Sequence, residues 1–201
     1  MKYSKDKIQA AVEQQNYKWF SGGDYDVNIV GVRNSDTGSK VTNKFDDIIT
    51  ITFQIGDEWI YKEWSCTTDS GKAAVLNYQN KNGVARLVEG QYRGSHMVGL
   101  HRGKYEALRQ KKPMKVYRDK NKDLIYDEDI IQEGIFGINI HRSNPKTQSY
   151  IIDHWSHGCQ VFQKASDFED FMAICNTAKS IWGNSFTYTL ITSDQIKKHN
   201  K

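Results

Sequence analysis

The chain has 201 residues, 38% of them hydrophobic, 26% charged and 12% aromatic, and a formal net charge of +4. That length suits one β-rich domain with a sizeable core, and no apolar run approaches the roughly 18–20 residues of a membrane span. Interspersed charges exclude a nucleic-acid footprint, and three cysteines without metal-type spacing exclude a disulfide scaffold or a zinc ribbon, so at least one thiol is expected free. The N-terminus MKYSKDKIQAAVEQQ lacks the apolar centre of a signal peptide, so the chain as given is expected to start in the cytosol.

Residues 4–19 read as an amphipathic helix capped by Ser4, with Ile8, Ala11, Val12, Gln15 and Trp19 at helical spacing and Ser21-Gly22-Gly23 as its stop. It is expected to pack on the domain edge; a docking arm is the other use. From Asp26 to Phe162 the pattern changes to short strands, VNIVGVR, DIITITFQI, EWIYKEWSC, VARLVEG, SHMVGLH, MKVYR, GIFGINIH and SYIID, separated by turn clusters such as NSDTGS and NKNG. A mainly β fold follows, a mostly antiparallel sandwich or barrel without repeats. After it comes one clear helix, with Ser166 and Glu169 as a capping box and Phe168, Phe171, Met172, Cys175 and Ile181 on one stripe. The strand SFTYTLI closes the domain. The expected division is 1–23 for the N-terminal helix and linker, 24–193 for the main domain, and 194–201 for a solvated tail.

Cys66 ends an aromatic strand and Cys175 lies on a buried helix stripe, so both read as structural. Cys159 differs. It lies in the segment GIFGINIHRSNPKTQSYIIDHWSHGCQVF with His141, His154 and His157, and a catalytic thiol needs a nearby imidazole or positive potential to form thiolate. His141 closes an apolar strand, a loop over 142–155 follows, and a strand from Gln160 brings Cys159 back beside it. Gly158 permits a tight turn whose amides could face an oxyanion.

This pattern, a Gly/Ile-rich strand ending in His, then a loop, then Ser-His-Gly-Cys, resembles the active-site signature of the L,D-transpeptidases, the YkuD-type family. The resemblance implies an L,D-transpeptidase-like β-sandwich or barrel with a helix after the cysteine. It makes Cys159 the nucleophile and His141 its base, with His157 lining the site and Ser156 and Gly158 shaping the turn. It implies peptidoglycan stem peptides as partners and an acyl-enzyme thioester that passes to an amine or to water, with no cofactor required. The activity would be that of a transpeptidase, a carboxypeptidase or a lytic, phage-type L,D-peptidase, at the cell wall or periplasm after export or release. A non-catalytic wall-binding domain of the same fold is the rival. Gln160 follows the cysteine where the family has an apolar residue and then Arg or Asn, and Arg142 follows the histidine where the family has Gly. Arg142 either serves a substrate carboxylate or is merely exposed.

Three further readings remain. The His/Arg/Gly-dense stretch from Tyr92 to Gly103 is a candidate cleft wall, with Tyr92, Arg93 and His96 as substrate contacts. RDKNKDLIYDED spaces Asp119, Asn121, Asp123 and Asp127 like the start of a structural calcium loop, though the turn glycine and closing glutamate are missing, and an acidic turn explains it equally well. Asp153 could orient an imidazole, or be ordinary loop polarity.

Overall fold

The computed structural model describes residues 2–78, 80–126 and 130–197. Eight strands close into a barrel. In chain order they are β1 (Asn28–Arg33), β2 (Asp47–Ile55), β3 (Glu58–Thr67), β5 (Gly90–His101), β6 (Tyr105–Gln110), β9 (Ile140–Arg142), β10 (Gln160–Phe162) and β11 (Phe186–Thr192). Around the barrel the order is β1-β11-β5-β6-β9-β10-β3-β2. The pairs β1/β11 and β9/β10 are parallel and the rest antiparallel. Closure leaves no unpaired sheet edge, which suits a chain this rich in β-branched residues. Three shorter strands, β4 (Val84–Leu87), β7 (Met114–Asp119) and β8 (Ile131–Gly134), form a second sheet in the order β4-β7-β8.

Alternation along the strands separates two apolar clusters. Ile29, Ile49, Ile51, Phe53, Leu108, Ile140, Phe162, Tyr188 and Leu190 join Leu87 and Val116 of the second sheet in one core. The helix α3 (Ala165–Trp182) adds Phe168, Phe171, Met172, Cys175 and Ala178 to it. The opposite faces of β1 and β11 carry Val30, Val32 and Ile191. They pack beneath Ile8, Ala11 and Val12 of α1 (Lys5–Gln14), with Trp19 alongside. Ser4 Oγ accepts from Lys7 N to start α1, and Asn16, in the left-handed region at φ 59°, ends the helix earlier than its apolar spacing suggests. A short helix α2 (Lys72–Asn77) follows β3.

Several expectations are corrected. The C-terminal stretch begins as a short helix, α4 (Ser193–Lys197), whose Ile196 completes the cluster under α1 with 1% exposure, so the expected solvated tail is docked at Ile196 while Asp194 and Lys197 stay exposed. The capping box of α3 does not form; the helix starts at Ala165 after Lys164 without a side-chain cap. Its buried stripe continues at Ala178, and Ile181 turns outward. SYIID is loop, and GIFGINIH is strand only at its ends. At its centre Gly137 has φ 76°, and the Phe136 and Ile138 amides donate to the Gln110 side chain, at Oε1, at 3.0 and 2.9 Å rather than to the backbone of a neighbouring strand.

Candidate active site

The parallel β9/β10 pair sets Gln160 beside Ile140, Val161 beside His141 and Phe162 beside Arg142. Ile140 and Phe162 face the core, and Gln160 accepts there from the Tyr188 hydroxyl at 2.8 Å. Alternation therefore turns His141, Val161 and Cys159 to the other face. Val161 and Cys159 pack there with Phe45 and Ile152.

Ile152 belongs to the long loop between β9 and β10, and hydrogen bonds fasten that loop at several points. The Ser143 and Ser149 amides donate to Phe162 O and Gln163 O, both at 3.1 Å. Asn43 clamps its middle. Asn43 O and Oδ1 accept from the Ile152 and Asp153 amides at 3.1 and 2.8 Å, and Asn43 Nδ2 donates to Asp153 Oδ1 at 2.8 Å. Asp153 is thus engaged in holding the loop, and among the described residues no imidazole bonds to its carboxylate.

The SHGC turn is built by its own side chains. Ser156, fully buried, donates from Oγ to Cys159 O at 2.8 Å and accepts from the Gly158 amide at 3.2 Å. Gly158 has φ 118°, and a Cβ there would lie 2.4 Å from Ala85 O on β4. Only glycine fits both the backbone angle and the gap.

Around the thiol lies a hollow of about 420 Å³, lined by Cys159, Gly137, Asn139, His101, Arg102, Arg109 and His157 among others. Cys159 Sγ is 3.2 Å from Gly137 O, and among the described residues no imidazole accepts from it. A second hollow of about 330 Å³ is lined by His141, Arg142, Ser143, Tyr105, Lys104, His154 and Trp155, and it shares His101 and Arg102 with the first. The two imidazoles at this junction stack, His101 on His141, with centroids 4.3 Å apart and planes 21° from parallel.

Their hydrogen bonds fix both tautomers. His141 Nδ1 lies 2.8 Å from Arg142 O, which can only accept, so Nδ1 carries the proton and Nε2 keeps its lone pair. Asn139 Oδ1 accepts from the Gln110 amide at 2.9 Å, which turns its Nδ2 toward His101 Nδ1 at 3.3 Å; His101 therefore carries its proton on Nε2.

No family model, curated protein or solved structure matches this chain. Its chemistry must be read from the site.

Burial holds His141 down to about 3, assisted by the neighbouring His101 and the Arg102 and Arg142 charges. His101 is lowered by burial and by Arg102 and Arg109, and His157 by burial, His154 and Arg102. Burial also pushes the Cys159 thiol up, against the opposing pull of the Asn139 backbone N–H and the Arg102 charge. At rest the Cys159 thiol and the His101, His141 and His157 imidazoles are therefore all held toward their neutral forms.

Of the other residues expected at the site, Arg142 does line the hollow beside His141, with its guanidinium 4.2 Å above the Tyr105 ring. Tyr92, Arg93 and His96 line neither hollow. His96 is enclosed between Ser95 Oγ at 2.8 Å and Ile138 O at 2.9 Å, Tyr92 donates to Val88 O at 2.6 Å, and Arg93 lies over Phe20. The expected cleft wall is the other end of the same strand, at His101 and Arg102. These two, with Tyr105 and Asn139, are functional candidates that the motif alone did not single out. The signal for them was the Arg-Gly pair at the tip of the hairpin between β5 and β6.

In the acidic loop the oxygens turn to backbone amides: Asp119 Oδ1 accepts from Lys122, Asn121 Oδ1 from Asp123 and Asp123 Oδ1 from Ile125. That is the bonding of an acidic turn. Asp127 lies outside the described residues, and among those described no group of three His, Cys, Asp or Glu side chains is placed to hold a metal. No helix of the described residues is long and apolar enough to cross a membrane.

Proposed function

We propose that this protein is a cysteine-dependent acyl-transfer enzyme of the L,D-transpeptidase type, acting on peptidoglycan stem peptides at the wall after export or release. The observation that carries the reading is the β9/β10 register. It puts His141 and Cys159 on one face of the barrel, beside adjoining hollows, with the Nε2 lone pair of His141 available as a base.

In the proposed cycle the thiol rotates off the Gly137 carbonyl and gives its proton to His141 Nε2 as Sγ attacks the substrate carbonyl. The C–S bond forms, the amide C–N bond breaks, and His141 passes the proton to the leaving amine. A second amine or water then attacks the thioester. His141 takes the proton of that nucleophile, and the thiolate released as the C–S bond breaks recovers it.

The test is incubation with purified tetrapeptide stems followed by mass spectrometry. A thioester adduct on Cys159 and shortened or cross-linked stems are expected from the native chain, and neither from Cys159→Ala. Native chain that forms no adduct overturns the reading. The thiol's bond to Gly137 O in place of an imidazole favours a second reading, a wall-peptide-binding domain with an idle thiol. Stem binding without any adduct would establish that instead.

A further inference from the structure

Attack of a thiol on an amide carbonyl puts a negative charge on the carbonyl oxygen, and that charge is stabilised by hydrogen-bond donors already in place. The turn that carries Cys159 has spent two of its own. The Gly158 amide donates to Ser156 Oγ at 3.2 Å, and the Gln160 amide donates to Asn139 O at 2.9 Å. The Gly137 carbonyl, 3.2 Å from Sγ, faces the thiol as an acceptor. A donor from outside the turn is therefore wanted.

The side chains with N–H groups around the hollow of the thiol are Arg102, Arg109, Asn139, His157 and His101. Both arginines are exposed, so their long side chains lose rotamer freedom and hydration if they are fixed on a substrate. Asn139 Nδ2 is turned to His101 Nδ1. His157 packs against the Tyr78 and His154 rings, and among the described residues no hydrogen bond fixes its tautomer.

His101 differs from all four. It ends β5 with 8% exposure, stacked on His141 at 4.3 Å and beside the Tyr105 ring at 5.5 Å. The Asn139 bond at Nδ1 leaves its proton on Nε2, and that N–H meets no acceptor among the described residues. Burial and the Arg102 and Arg109 charges hold the ring toward its neutral form, in which an imidazole polarises a carbonyl without surrendering its proton. The ring also lines both hollows. A carbonyl whose carbon Sγ attacks and whose leaving nitrogen His141 protonates must lie where those hollows meet.

We infer that His101 is a further catalytic residue, whose Nε2–H donates to the oxygen of the carbonyl under attack and holds the oxyanion of the tetrahedral intermediate. This rests on the acyl-transfer reading above. As the C–S bond forms, the carbonyl π pair moves onto oxygen while His101 keeps its proton. When the C–N bond breaks, that pair returns to the carbonyl. The same donor serves the second attack, on the thioester.

The experiment measures the single-turnover rate at which a synthetic stem tetrapeptide acylates Cys159 in the native chain, His101→Phe and His101→Gln, and beside it the rate of alkylation by iodoacetamide. Phenylalanine keeps a flat ring against His141 and has no donor; glutamine gives up the ring and keeps an N–H. Acylation is expected to fall about a hundredfold or more in His101→Phe, the scale of one lost oxyanion donor, and to recover in part in His101→Gln. Alkylation passes through no oxyanion and should keep its native rate in both. Acylation at the native rate in His101→Phe, a greater loss in His101→Gln than in His101→Phe, or an alkylation rate that falls in step with acylation overturns this inference alone. No adduct from the native chain removes the acyl-transfer reading with it.

Discussion

Lowering the pH from about 7 to about 5 should destabilise the fold through two buried histidines. His96 is held at about 4 by burial and His141 at about 3 by burial and neighbouring positive charge, against an ordinary value of 6.5. In both, the folded value lies below the unfolded one. Above about pH 7 neither state is protonated and stability is complete. As pH falls through 6.5 the unfolded chain takes up protons that the folded chain refuses, and stability is lost until the folded values are reached. At about 1.4 kcal/mol per pH unit, each histidine removes about 2 kcal/mol by pH 5. Asp47 works in the opposite sense. Burial and the Asp69 charge raise it to about 7, so its contribution is present in acid and is lost as pH rises. It is common to the native chain and a His141→Gln variant, so it cancels between them. Urea unfolding of both at the two pH values is the assay: the acid-induced loss should be smaller by about 2 kcal/mol in His141→Gln. An equal loss in both proteins would refute the burial argument for His141.

Gly158→Ala should cost about 3 kcal/mol or more and abolish acylation, because backbone strain adds to a Cβ lying 2.4 Å from Ala85 O. Gly137→Ala meets nothing within 4 Å and should cost only about 1 kcal/mol for its positive φ, so thermal melts of the pair separate clash from strain. Arg33→Met removes the cation 3.1 Å from Asp69 and 2.5 Å from Glu89 in a buried network; a loss of about 3–5 kcal/mol in urea unfolding is expected, and a loss below about 1 kcal/mol would show the network to be dispensable. Alkylation of Cys159 by iodoacetamide should climb about tenfold per pH unit through the neutral range, as for a protonated thiol; a plateau extending into acid would reveal a resting thiolate–imidazolium pair and refute the neutral site.

Strands whose stability is local were legible in the sequence. DIITITFQI became β2 with its expected bounds, since β-branched residues alternate between the core and the face beneath α1. What escaped depends on long-range pairing. β6, YEALRQ, reads as a helix former and is a strand only because the Arg102-Gly103 turn folds it onto β5. A strand from Gln160 beside His141 was expected, but its parallel sense was not, because β9 and β10 hold three residues each, too few to leave a period. Ile196 looked like part of a polar tail because its partners, Ile8 and Val12, come from the far end of the chain. At the site, the motif located Cys159 and His141. It carried no trace of the His101 stack, which a separate hairpin delivers; the Tyr92–Gly103 stretch does reach the hollows at its far end, through His101 and Arg102, while the contacts expected at its near end, Tyr92, Arg93 and His96, line neither.

The resting electrostatics bear on the proposed acyl transfer. Burial that lowers His141 and raises Cys159 opposes proton transfer between them, because thiolate and imidazolium would both be charges in a poorly solvated place. The Arg102 and Arg142 charges lower His141 further. Arg102 also lowers the thiol, which favours the thiolate side of the exchange. In the proposed cycle the same burial would make the imidazolium a strong acid, ready to release its proton to the departing amine. A site arranged in this way holds its thiol toward the protonated form at rest, so the proposed acylation requires the proton to leave as Sγ attacks.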